Sequence, residues 1–512
     1  MAVLAGCAPA GSGSSGPSVS VETLAGSIRV DWSPVAEASV YRVYWSTSLP
    51  LELTSAPFVS LPEPPFVAEN LNGTYHVAVQ PILPSGPGEA SSTVSVEVAP
   101  ESPERYFPSW ADVTPTNVLE LDYDAGQSSA ENALALESLI NNLLPGDLLR
   151  VGGGTWSSSG AFRIDVRGTA AAPIRVEAKS GETPVLTRPD ASQNVLEIGT
   201  GGGARYFCLR GFELTGGSIA LRLHDCQNVW IDQCHVHDCP ENAITANSHD
   251  TTALYFTRNE VHATGGTGEG FYIGGNDGVP VASRCVIALN HVYDTGGFQG
   301  DGIEVKQGSW GNWIVENTVH DTNYPCILVY GTNGRAPNVI ERNVCWNSGD
   351  NVLQVQGEAL VRNNALFGGA LAFHSGDHQG STRDLVVVHN SFFNDGLCVN
   401  LASWGGRAGM VFANNAAYSQ SGTAVQFGSG SSGVTFTGNV VRGGVFGVSG
   451  GYVAGSGLGD FLGASYDGSA RDVTPAAGSV LTGAAHPSWV PLDALDGSLR
   501  TPPYAAGAAE ED

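Results

Sequence analysis

Lys306 is one of only two lysines, with Lys179, in a chain of 512 residues that otherwise uses arginine for positive charge. Lysine differs from arginine in being able to give up its proton, so a lysine in the right surroundings serves as a general base. Two residues back on the same face stands Glu304. Five residues back stands Asp301, in a column with Asn242 and Glu269 of the two preceding repeats. Oxygen-bearing side chains gathered this way suit a hard cation such as Ca²⁺, although the flanking Gly268-Glu269-Gly270 and Gly300-Asp301-Gly302 also suit plain turns. Tyr330 falls one repeat beyond Lys306 and Gln356 two. His374 falls three repeats away, roughly 14 Å at the spacing of stacked strands. Arg335, Arg383 and Arg407 follow the same strands in loops and are suited to binding carboxylates of a long substrate.

These residues need a scaffold that repeats. Asn259, Asn290, Asn317, Asn343, Asn363, Asn390, Asn414 and Asn439 recur every 20–30 residues or so, each after a short apolar strand such as Trp313-Ile314-Val315. A variable period of this size without helical patterning predicts an all-β fold, a right-handed parallel β-helix with an internal asparagine ladder. A second strand follows each asparagine by about a dozen residues. Period-2 alternation turns Ile303, Val305, Ile327 and Val329 inward. It leaves His224, Asn247, Gly274, Lys306, Tyr330, Gln356 and His374 as one outward column. Before the repeats, Ser129–Leu144 has helical spacing and ends at Pro145-Gly146, a helix placed to cap the open end of the coil.

Domain organisation follows from the same patterns. Residues 18–100 alternate as short strands and predict a small β-sandwich. The order VDWSP, YRVYW, LNGTYHVAVQPI resembles a fibronectin type III domain, with Trp32 and Tyr75 in its core. Residues 101–125 are expected to be a linker, 126–458 the β-helix and 459–512 an irregular segment packed on the last coils. Residues 1–17 hold Leu4-Ala5-Gly6-Cys7, similar to a bacterial lipobox, and a Gly/Ser tether. The expectation is an exported monomer, extracellular or held at the cell surface by lipid on Cys7. Eight further cysteines fit disulfides. A net charge of −27, with no basic face, excludes nucleic acid as a partner.

Val236-His237-Asp238, Val261-His262, Val292-Tyr293-Asp294 and Val319-His320-Asp321 recur at one place in successive coils, and so read as a structural ladder. Cys226, Cys234, His235, His237 and Cys239 match no zinc-finger spacing.

Glu304-Val305-Lys306, with Gly308-Ser309, Asn312 and Glu316-Asn317-Thr318, resembles the catalytic segment of polysaccharide lyase family 6, the alginate lyases and a chondroitinase. Pro145-Gly146-Asp147, Gly168-Thr169 and Pro173-Ile174 are also similar to its members. The resemblance implies β-elimination on a uronate-containing polysaccharide, with Lys306 as base and calcium on the carboxylate. Where the family carries an arginine acid this chain reads Ile327-Leu328-Val329-Tyr330-Gly331, which leaves Tyr330 or His374 as the acid. A β-helix glycoside hydrolase using Asp301 and Glu269, a uronate epimerase, and a non-catalytic carbohydrate-binding adhesin remain alternatives.

Overall fold

The computed structural model describes residues 16–511 except 25–26, 48, 52, 54–57, 62–63, 65, 70–72 and 99–105. Cys7 and its lipobox lie outside the described residues. The chain divides into two units, residues 1–105 and 106–512.

In the first unit, Val19–Leu24, Ser27–Trp32 and Phe66–Glu69 form one antiparallel sheet. Phe58–Leu61, Val40–Ser46, Gly73–Leu83, Gly86–Pro87 and Val94–Val98 form the other. Ile28, Val30, Trp32, Tyr41, Val43, Tyr75, Val77 and Val79 fill the space between them. The aromatic residues marked in the sequence are packing residues. Trp32 lies 5.4 Å from the Tyr41 ring.

The second unit is built of parallel coils. One strand of each coil joins a 14-stranded sheet, and the others join a 23-stranded sheet that bends around the core. Asn117–Leu121, within the stretch expected to be a linker, pairs in parallel with Asp147–Val151 and forms the edge of the first sheet. Tyr106 and Trp110 pack on the outside of that sheet, Trp110 against Trp230. The helix Ser129–Asn141 starts at a capping box in which the Glu131 N–H donates to Ser128 Oγ and the Ser128 N–H to Glu131. Its Ala133, Leu136 and Ile140 close the core at this end.

Inside the coils asparagines form the expected ladder, with two corrections. Asn259, Asn290, Asn317, Asn343, Asn364, Asn390, Asn415 and Asn439 each accept, at Oδ1, the backbone N–H of the rung before or donate to the next. Asn363 and Asn414 are not in it. Each ladder asparagine follows a residue in the left-handed region, as Arg342 does (φ 51°), and in the two Asn-Asn pairs the first asparagine takes that place (φ 55° and 58°). Freed from the ladder, both hold the C-terminal segment. Asn363 Nδ2 donates to the Asp493 carbonyl at 2.9 Å, and Asn414 Nδ2 to the His486 carbonyl at 2.9 Å. That segment packs Phe461, Val473, Leu481 and Ala506 over Phe367, Phe393 and Tyr418. The eight described cysteines are all free and buried, so none forms the disulfides that their even number suggested.

Candidate active site

Register fixes which side chains meet. Tyr272 pairs with Glu304 and Ile273 with Val305 on one side. Val305 pairs with Val329, and Val329 with Val355, on the other. Gly274, Lys306, Tyr330 and Gln356 therefore form one outward column as expected. His374 does not belong to it. Gln354 pairs with His374, which sets that histidine two residues back, in the column of Glu304, three rungs away. Its Nδ1 meets the Asn400 amide, and burial lowers its pKa.

Lys306 is 3% exposed. Its ammonium donates to Glu304 Oε1 and lies 4.5 Å from the ring centre of Tyr272 and 5.5 Å from that of Tyr330. Gly274 on the rung before leaves it room, since a Cβ there would come 3.3 Å from Lys306 Cβ. Burial pulls the lysine pKa down, but the charge and hydrogen bond of Glu304 outweigh it and the net direction is up. The lowering that a general base needs is thus absent while Glu304 carries its full charge. Tyr272 had not been singled out from the sequence. As the partner of Glu304 it is the nearest aromatic ring to the lysine.

Glu269, Asp301 and Glu304 are all buried, and one oxygen of each lies within 4.8 Å of the others. Glu269 Oε1, Asp301 Oδ1 and Glu304 Oε2 are each shut off from solvent without a hydrogen-bond partner. A buried unpaired acceptor costs about 1–3 kcal/mol, and more when charged. Burial, then the charges of Glu304 and Glu269, push the Asp301 carboxyl well above its usual range. Burial likewise raises Glu304 to about 7 against the pull of Lys306. Three crowded carboxylates and three idle oxygens fit an oxygen-ligated cation. Asn242 joins the group differently from expectation. Its amide nitrogen donates to Glu269, and its oxygen accepts from Thr267 at 3.0 Å, so it positions Glu269 and turns no oxygen to the cluster.

The remaining residues divide by what they already hold. Tyr330 is buried and stacks on His378 at 5.2 Å; burial and then Glu304 raise its pKa well above the ordinary tyrosine value. Gln356 Oε1 accepts the N–H groups of Gln379 and Gly380, tying that loop down beside Tyr330. Arg383 pairs with Glu358 at 2.6 Å and Arg407 with Asp377 at 2.6 Å. Arg335 is exposed and donates to the Gly308 carbonyl at 3.1 Å, two residues beyond Lys306. Of the three arginines it reaches closest to the lysine loop.

Residues 198–344 match the family model described as "Right handed beta helix region". The second unit is built on a right-handed parallel β-helix. No curated protein matches it. Among solved structures it is similar to an alginate lyase from Paenibacillus sp. str. FPU-7, at 19% identity over 66% of this chain and 98% of that one, with a TM-score of 0.38. It is also similar to pectate lyase Pel9A, at 13% identity over 78% of this chain and 98% of that one, with a TM-score of 0.46. The FN1–FN3 domains of chicken CNTN1 share 30% identity over 16% of this chain and 30% of theirs, with a TM-score of 0.15.

Proposed function

We infer that the β-helix is a polysaccharide lyase that cleaves a uronate-containing polysaccharide by β-elimination. The observation that carries this reading is a single buried lysine set against three buried carboxylates, each with an idle oxygen. In its neutral form Lys306 takes the proton on the carbon next to the uronate carboxylate. The C–H electrons form the new double bond, and the glycosidic C–O bond breaks. Tyr330, whose hydroxyl keeps its proton through the working pH range, protonates the leaving oxygen. Arg335 binds a carboxylate of the neighbouring sugar. Glu269, Asp301 and Glu304 would hold Ca²⁺, which supplies positive charge to the substrate carboxylate and offsets Glu304 beside the lysine.

Because Lys306 is buried, the substrate reaches it once the His378 loop stacked on Tyr330 moves aside. In the rival hydrolase reading, Asp301 and Glu269 would be an inverting pair, which needs carboxyls about 6.5–9.5 Å apart. Their oxygens approach within 4.8 Å, which favours a shared cation over a water-spaced pair. Action on such a polymer goes with export, a lipid on Cys7 and a monomer, all parts of the same proposal.

The test is a product screen on alginate, pectate and glycosaminoglycans, with and without calcium, read as an ultraviolet-absorbing unsaturated sugar. New reducing ends without that chromophore would replace the lyase by a hydrolase. Unchanged chain length with altered uronate configuration would replace it by an epimerase.

A further inference from the structure

The histidine ladder holds a feature that stacking does not explain. Two outward columns run along the strands Glu213–Gly216, His235–Cys239 and Glu260–Thr264, in which Glu213 pairs with His235, His235 with Glu260, and His237 with His262. His262 stacks on His237 at 5.3 Å, as a ladder should. Yet His235 and His262 also point their Nε2 atoms at each other, 2.8 Å apart. His237 Nδ1 bonds Asp238 Oδ2 at 2.8 Å, which in the neutral ring puts the proton on Nδ1 and leaves a lone pair on Nε2. That Nε2 is shut off from solvent and makes no hydrogen bond, with Glu213 Oε1 3.3 Å away. In the neutral ring that lone pair faces a carboxylate oxygen, a repulsion that a proton on Nε2 or a cation shared by the two groups would relieve.

We propose that Glu213, His235, His237, Glu260 and His262 form a binding site for a zinc-like divalent cation that ties three successive coils together. Their ligand atoms fall into two overlapping sets, Glu213/His235/His237 and His235/Glu260/His262, each gathered within 4.8 Å. Imidazole nitrogens with a carboxylate are the donors zinc prefers, at about 2.0–2.2 Å, so small side-chain movements bring them onto one ion. The outer contacts are those of a metal site. Asp238 fixes the His237 tautomer, and the Tyr293 hydroxyl donates to Glu260 Oε1 at 2.8 Å, orienting that carboxylate. The buried Cys226, Cys234 and Cys239 take no part, because they belong to the core inside the coil. The site stands apart from Lys306 and from the all-oxygen Glu269 cluster, and does not depend on the lyase reading.

The experiment is calorimetric titration of Zn²⁺ into the chelator-stripped full chain. One ion is expected per site, with a raised melting temperature. The double variant His235→Gln/His262→Gln should bind at least about 100-fold more weakly, beyond the 10–100-fold that loss of an outer partner costs, and Asp238→Asn about 10-fold more weakly. Glu269→Gln should leave zinc affinity unchanged. The side chains replaced face outward, so metal-free melting of the double variant should match the parent and show that it folds. No zinc uptake by the parent, or equal uptake by the double variant, would overturn the site.

Discussion

The Lys306 ammonium stands 4.5 Å from the ring centre of Tyr272, its neighbour on the preceding coil, with Glu304 as its charge partner. A cation held between a ring face and a carboxylate is placed by its surroundings and is not a decoration of the surface. Lys306→Ala and Lys306→Arg should both lower the rate of unsaturated-product formation by about 10²–10⁴-fold, the usual contribution of a general base. Arginine keeps the charge but cannot give up its proton. Full activity in either variant would remove Lys306 from the chemistry.

The acid cluster predicts opposite effects with and without calcium. In chelator, Glu269→Gln should melt at or above the parent temperature, because one of three crowded charges is gone. With calcium at about 100 times its Kd the parent should gain about 2.7 kcal/mol and the variant much less. Paired thermal melts decide it. Equal calcium shifts in both proteins would remove the cation from this cluster.

Loop access can be read with the chain's own scarcity of lysine. Amine-reactive labelling should modify Lys306, 3% exposed, more slowly than Lys179, which is partly exposed and paired with Glu120 and Asp122. Gln356→Ala removes the acceptor for the Gln379 and Gly380 N–H groups. Losing roughly 1.4 kcal/mol there should speed Lys306 labelling about 10-fold while leaving Lys179 unchanged. Peptide mass spectrometry gives both rates in one experiment; equal Lys306 labelling in parent and variant would refute the loop's role.

His389 makes stability depend on pH. It is fully buried; its Nδ1 donates to the Gly507 carbonyl and its Nε2 accepts from Asn414. Burial, then Arg500, hold its pKa well below the ordinary 6.5. The unfolded chain therefore takes up a proton near 6.5 that the folded chain refuses. Its stabilising contribution is complete above that value and is lost as pH falls toward the folded pKa. Denaturant melts above and below pH 6.5 should show this slope, and His389→Gln should flatten it.

The ladder predicts unequal costs for adjacent asparagines. Asn364→Ala strands the Asn343 N–H and the Ile340 carbonyl inside the coil, at about 1–3 kcal/mol for each orphaned group. Asn363→Ala removes bonds to Asp493 and Arg500, which keep other partners in each other and in the Gly507 and Ala508 carbonyls, and should cost less. Equal destabilisation in denaturant melts would contradict this division.

Much of this was legible before any coordinates. The asparagine repeat and the alternation of Ile303 and Val305 located the coils, and the rarity of lysine singled out Lys306. Three errors share a cause in periodicity. A slip of two residues preserves which side chains point outward, so the pattern could not tell Gln354 from Gln356 as the partner of His374. In Asn363-Asn364 and Asn414-Asn415 the repeat marked the neighbourhood, but backbone handedness decided which asparagine enters the ladder. Tyr272 was available as the outward residue paired with Glu304, yet a tyrosine on an exposed face carries no signal until the rungs are in register. The direction in which Asn242 points its amide is set by Thr267 and Glu269 together, and no spacing rule contains that.

The grip of the C-terminal segment on Asn363 and Asn414 has a consequence for how the molecule comes apart. A solenoid ordinarily frays rung by rung, because each coil touches only its neighbours. Here Asp493 reaches Arg342 and Asn363, Arg500 reaches Asn363, and His486 reaches Asn414. One return pass of the chain thus laces the coils from Arg342 to Asn414 into a single cooperative block. Opening should begin at the other end, where Asn117–Leu121 presents an edge with no strand beyond it among the described residues.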